Sequence, residues 1–141
     1  MTKITKLKTG SALEEHSSYS RLVCVDNWIF VSNTAGRCPE TKEIPDDLKE
    51  QTLQVFANIE RALKAVDASL ADVVMSRVFI QDPKNTMDIM EIVGEKFRGV
   101  DPATTVSCPP LGSDIYKVEI EVTAFKGASS AETVTINIGQ S

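Results

Sequence analysis

Two carboxylates, Glu119 and Glu121, stand two residues apart in the alternating run Tyr116-Lys117-Val118-Glu119-Ile120-Glu121-Val122. The small polar stretch Asp101-Pro102-Ala103-Thr104-Thr105-Val106 lies upstream, with Thr104 fifteen positions before Glu119. Residues two apart on a strand share a face, so either glutamate can serve as a general base where it is partly desolvated. The commoner fate of such a pair is a solvated polar face. Small polar groups at a strand entry, set at a fixed distance from a carboxylate on a regular strand, can also wall a compact ligand pocket.

Other side chains are candidates to hold a ligand. Tyr19 and Ser32 flank a pair of short apolar runs and can donate hydrogen bonds, although such residues are often turn or rim residues. Arg21, Arg37 and Arg77 can each grip a carboxylate in a bidentate fork, which arginine does better than lysine. Cys108, before Pro109-Pro110, reads as a small packing residue. A nucleophile–histidine pair would have to use His16, the only histidine, in a polar segment. No dinucleotide fingerprint, Walker loop or nucleophile elbow occurs.

Composition narrows the classes. With 141 residues and 42% hydrophobic side chains the chain is long enough for one domain with a real core. A net charge of −5 argues against nucleic acid, whose phosphates are held mainly by lysine and arginine. Cys24, Cys38 and Cys108 are odd in number and in no metal-ligand spacing. They predict reduced thiols, a cytoplasmic location, and neither a disulfide framework nor a metal site. The start, Met1-Thr2-Lys3-Ile4-Thr5-Lys6-Leu7, alternates polar and apolar residues and reads as a strand rather than a signal or membrane segment.

The elements that must position these residues follow from periodicity. After the first strand comes a polar connection over residues 9–18. The runs Leu22 to Cys24 and Trp28 to Val31 around Asp26-Asn27 then predict a hairpin. Residues 33–46 read as loop. Pro45-Asp46-Asp47 signals a helix start, and Leu53, Phe56, Ile59, Leu63 and Val66 at spacings of three and four predict an amphipathic helix over residues 46–66. A strand over 73–80, a helix over 86–97 ending near Gly99, and strands over 104–108 and 116–125 complete the domain. The order βββαβαββ suits an α+β sandwich with two helices packed on one face of a mixed sheet. The other face, judged from Lys117, Glu119, Glu121 and Thr123, is polar and is either solvated or meets another subunit. Residues 1–127 form the domain; residues 128–141 are a tail or, through Thr133-Val134-Thr135-Ile136-Asn137-Ile138, an added edge strand.

With these anchors placed, the chain resembles the YjgF/RidA/L-PSP family of reactive intermediate deaminases over residues 19–125. In that family a tyrosine lies thirteen residues before the serine of a Ser-Gly-Gln or Ser-Gly-Thr motif, the separation of Tyr19 and Ser32, with Asn33-Thr34 in place of the Gly-Gln pair. The family's Pro-Ala-Arg-Ser motif precedes its glutamate by the spacing from Thr104 to Glu119. The resemblance implies a homotrimer of chorismate-mutase-like fold with pockets between subunits, where imines and enamines of 2-amino acids are hydrolysed to 2-keto acids and ammonia; no motif in the chain requires a cofactor.

The same resemblance marks departures. The arginine that holds the substrate carboxylate in the family falls on Thr104, a pocket asparagine on Met90, and a cysteine on Val106, so the pocket is expected to be less polar. Glu119, matching the glutamate that positions water, is retained. Either Arg21 or Arg37 replaces the missing cation, or the pocket serves a ligand without a carboxylate or a purely binding role. The expected site is therefore Glu119 as the catalytic group, with Tyr19, Ser32, Thr104, Val106, Arg21 and Arg37 holding a small molecule. The expected partners are that molecule and the chain itself, with no nucleic acid and no membrane. Noncatalytic ligand binding and, more remotely, ribonuclease activity are the alternatives.

Overall fold

The computed structural model describes residues 1–139. Alternating apolar residues build six strands: β1 (Ile4–Leu7), β2 (Leu22–Val25), β3 (Trp28–Ala35), β4 (Val73–Ile80), β5 (Ala103–Ser107) and β6 (Val118–Phe125). They form one sheet in the order β1-β2-β3-β6-β4-β5. Every pairing is antiparallel except that of β4 with β5, whose connection runs through a helix. The Asp26-Asn27 turn closes the β2–β3 hairpin with Asp26 in the left-handed region at φ 51°, as a tight hairpin requires.

Three helices accompany the sheet: α1 (Ala12–Ser17), α2 (Leu48–Lys64) and α3 (Thr86–Lys96). The predicted helix start is capped by Asp47, whose side chain accepts from Glu50 N at 2.9 Å. Val55, Phe56, Ile59 and Leu63 of α2, with Ile89 and Val93 of α3, bury their stripe against Ile29, Val78, Ile80, Val118 and Ile120 of the sheet. Phe56 and Phe97 meet edge to face, with ring centroids 5.5 Å apart. No helix among the described residues is long and apolar enough to cross a membrane.

Two expectations change, and one open alternative narrows. The polar connection contains a helix, α1, so the order is βαββαβαββ. It forms because Ser11 caps it through Glu14 N and because the buried Glu14 carboxylate accepts from Thr9 N and Thr9 Oγ1. The sheet face away from the helices is only partly polar. Trp28, Phe30 and Met75 stand exposed on it, and Trp28 packs edge to face on Phe125 at 4.9 Å. Residues 133–138 pair with no strand, and Val134, Ile136 and Ile138 are exposed.

Candidate active-site cleft

Local backbone features bring the site together. α1 ends in Ser18 at φ 57°, a left-handed residue that turns the chain into Tyr19, and Lys8 Nζ holds the Tyr19 carbonyl at 2.8 Å. Arg21 follows on the open face, opposite to the buried Leu22. In β3 the pairing with β6 shifts between Val31 and Thr34, so Ser32 and Asn33 form a bulge. A bulge re-aims side chains: Asn33 Nδ2 donates to Glu119 Oε1 at 2.7 Å, and Arg21 Nη2 donates to the Asn33 carbonyl at 2.9 Å. The Arg21 guanidinium also lies 5.8 Å from the Tyr19 ring centroid, a cation–π distance.

Tyr19, Arg21, Asn33, Arg37, Tyr116 and Glu119 share the wall of a cleft of about 900 Å³. Burial pushes the Glu119 carboxyl above its ordinary range, with the nearby Arg21 charge pulling partly back. Its neighbour Glu121 is tied to Arg77 at 2.8 Å, whereas Glu119 has no cation within ion-pair distance among the described residues. The two glutamates that the sequence left equivalent are thus different groups. One belongs to a surface ion pair, and the other is a carboxylate held by a neutral amide and facing a cleft.

The remaining expected residues lie elsewhere. The Ser32 hydroxyl donates to the Ser20 carbonyl at 2.7 Å and so clamps the chain beside Tyr19. Thr104 and Val106 are separated from Glu119 by the sheet itself. Thr104 pairs with Ser76, and their hydroxyls lie 2.8 Å apart. Ser76 is fully buried on the helix side, in register with Val122. Paired residues point the same way, so Thr104 and Val106 face the helix side while Glu119 faces the open side. Cys108, expected to pack, is exposed, with Sγ 3.8 Å from Thr86 Oγ1. His16 is exposed on α1. Among the described residues no cluster of three or more His, Cys, Asp or Glu side chains is placed to hold a metal ion.

Asn33 is the site residue that sequence reasoning missed. It stood out only as a replacement for glycine, and its role depends on the bulge. Gln51 supports the site from below: its Nε2 donates to the Pro45 and Ile115 carbonyls, and its Oε1 accepts from Lys117 N at 2.7 Å.

The family described as endoribonuclease L-PSP matches residues 9–126. The chain belongs to this family. A RutC family protein of Sulfurisphaera tokodaii is 38% identical over 121 residues, 84% of this chain and 96% of that one. A protein of Rattus norvegicus named 2-iminobutanoate/2-iminopropanoate deaminase is 30% identical over 125 residues, covering 86% and 89% of the two chains. The fold matches the crystal structure of a YjgF/YER057c/UK114 family member from Mycobacterium tuberculosis with a TM-score of 0.79 at 30% identity, over 87% of this chain and 99% of that one. The match to E. coli TdcF with bound serine has a TM-score of 0.71 at 26% identity, over 77% and 87% of the two chains. The mixed sheet with helices on one face is thus the fold of the YjgF/L-PSP group.

Proposed function

We propose that this protein hydrolyses the C=N bond of a small imine or enamine in the Glu119 cleft, releasing a carbonyl compound and ammonia. The observation that carries the reading is the state of Glu119: half-buried, titrating above the ordinary carboxylate range, fixed by Asn33 and open to a cleft large enough for a metabolite. A carboxylate of raised pKa is the stronger base, able to take a proton and return it. Glu119 orients a water and accepts its proton as the oxygen attacks the imine carbon, and the nitrogen takes a proton from bound water. The carbinolamine then gives its hydroxyl proton to the hydroxide left by that bound water, and Glu119 returns its proton to the departing nitrogen, so the carbonyl forms as ammonia leaves. The net change is addition of one water and loss of one ammonia. Tyr19 contributes a hydrogen-bonding wall to the ligand. A deaminase name on the rat relative supports the same chemistry.

The reading includes a cyclic homotrimer in the cytoplasm. Thr104 and Val106 lie on the opposite sheet face from Glu119, so one chain carries two half-sites rather than one pocket. A head-to-tail ring joins the β5 rim of one subunit to the Glu119 cleft of the next, and such heterologous contacts close when the rotation permits. The exposed Trp28, Phe30 and Met75 on the open face supply apolar area for that contact. Three free thiols support a reducing compartment.

A second reading, a noncatalytic ligand-binding trimer, is favoured by one feature. The Thr104 hydroxyl, where the family arginine would stand, is neutral and already engaged with Ser76 and with the Pro102 carbonyl at 3.0 Å. Ribonuclease activity is not favoured in a chain of net charge −5 whose single histidine is exposed outside the cleft. The deciding experiment generates 2-iminobutanoate in situ with a dehydratase and follows formation of the 2-oxo acid. Wild type is expected to exceed the buffer rate and Glu119→Ala to match it. A folded trimer that gives no acceleration retires the hydrolase in favour of the binder.

A further inference from the structure

Two arginines line the cleft, and their surroundings are not equivalent. Arg37 is spent: Nη1 donates to the Lys42 carbonyl and Nη2 to Tyr116 Oη at 3.1 Å, which holds the turn after β3 against the segment before β6. The Arg37 carbonyl is in turn fixed by Asn58 Nδ2 at 2.8 Å. Arg21 is anchored but unspent. It donates once, from Nη2 to Asn33, and leans on the Tyr19 ring. Its Nε is shielded from solvent and donates to nothing among the described residues. No carboxylate lies within ion-pair distance of it among the described residues, although its charge reaches both Glu14 and Glu119.

Arg21 is only partly buried, and its Nη nitrogens, unlike the shielded Nε, keep donors that a ligand can reach. A carboxylate meets them best, because its two oxygens match the guanidinium fork. The Arg21 charge acts on both Glu14 and Glu119, whose carboxylates repel each negative charge a ligand carries, so a monoanion is favoured over a dianion.

We infer that Arg21 is the carboxylate anchor of the cleft, so that a small monocarboxylate is held by the same chain that supplies Glu119 rather than by the β5 rim at position 104. This rests on the cleft being the ligand site, and it holds whether or not the ligand is turned over. The ligand's remaining atoms then extend from Arg21 past Glu119 toward the open mouth of the cleft.

The test is calorimetric binding at neutral pH to the intact protein. The ligands are 2-oxobutanoate, butanone as its carboxylate-free counterpart, and inorganic phosphate. 2-Oxobutanoate is expected to bind at least about tenfold more tightly than butanone or phosphate. Arg21→Met should weaken 2-oxobutanoate about 10- to 100-fold, the usual worth of a charge-assisted pair, and Arg37→Met by less than about threefold. Because Arg21 also holds the Asn33 carbonyl, each variant is checked by near-UV circular dichroism and sedimentation. Arg21→Lys, which keeps the charge without the fork, should retain preference for 2-oxobutanoate over butanone with a smaller loss. The inference is overturned if butanone or phosphate binds as well as 2-oxobutanoate, if no ligand binds, or if Arg37→Met carries the larger loss. Arg21-dependent binding without accelerated imine hydrolysis keeps this inference and retires the hydrolase. Acceleration with binding indifferent to Arg21 does the reverse.

Discussion

Replacing Gln51 by leucine removes the side chain that ties α2 to two segments beside the cleft. Gln51 is fully buried, and its amide makes three contacts: Nε2 to Pro45 O at 2.8 Å and to Ile115 O at 3.0 Å, and Oε1 from Lys117 N at 2.7 Å. Leucine fills a similar volume, so cavity formation is a minor effect and the cost comes from three stranded backbone groups. A buried group left without a partner costs about 1–3 kcal/mol. Pro45 is only half-buried and Ile115 is exposed, so water recovers most of the loss at those carbonyls, and Lys117 N bears the rest. Gln51→Leu is therefore expected to lose about 2–4 kcal/mol, a large share of the roughly 5–15 kcal/mol that holds a domain together.

Urea unfolding followed by far-UV circular dichroism measures this loss, at one fixed protomer concentration because assembly shifts apparent stability. Amide exchange locates it: Lys117 should lose protection while core amides of β4 change only with global stability. A loss below about 1 kcal/mol with Lys117 protection unchanged would refute the argument. It would mean that the 115–117 segment, and with it the Tyr116 contact to Arg37, is held by other contacts.

Gly36 follows β3 where a Cβ would stand 2.5 Å from Gln51 O and 2.9 Å from Gln51 Cγ. Gly36→Ala should therefore cost about 1–3 kcal/mol by overpacking in the same urea assay, and an unchanged midpoint would show that α2 yields freely. Burial raises the Glu119 pKa above its unfolded value, so its favourable contribution to folding is complete below the ordinary glutamate range and is lost as pH rises through the raised value. Glu119→Gln should gain stability relative to wild type across that rise and level off above it, as read from unfolding midpoints against pH, and a gain that grows toward acid would reverse the assignment.

Most of the fold was legible where a pattern lies within one element. The spacing of Phe56, Ile59 and Leu63 gave α2, and Asp26-Asn27 between apolar runs gave the hairpin. α1 was not legible, because six residues are too few for a helical period and its stability comes from the Ser11 cap and the Glu14–Thr9 contacts. The open face was misjudged because it was read from β6 alone. Trp28 and Phe30 reach that face only through the register of β3 against β6, which the sequence does not display. The alternation in residues 133–138 looks like a strand, but a strand needs a partner, and the alternation of a single segment cannot supply one.

The candidate site shows the same limit at higher stakes. Parity along a strand says that Thr104 and Val106 share a face, and that Glu119 and Glu121 share one. It cannot say whether those are the same face, because that depends on which residue of the neighbouring strand lies alongside. In this chain the pairing of Thr104 with buried Ser76, and of Ser76 with Val122, settles the matter against a shared pocket within one subunit. A spacing of fifteen residues therefore joins two surfaces that meet only between chains of the proposed ring. The side chains that do meet within one chain, Arg21, Asn33 and Glu119, come from β6 and from the stretch between α1 and the β3 bulge. With neutral Thr104 at the β5 rim, the far half of the cleft in the proposed ring carries no cation at that position, while the near half has both a carboxylate and a cation. In that ring, chemistry that needs only the near half is open to this chain, and chemistry that needs a cation at position 104 is not.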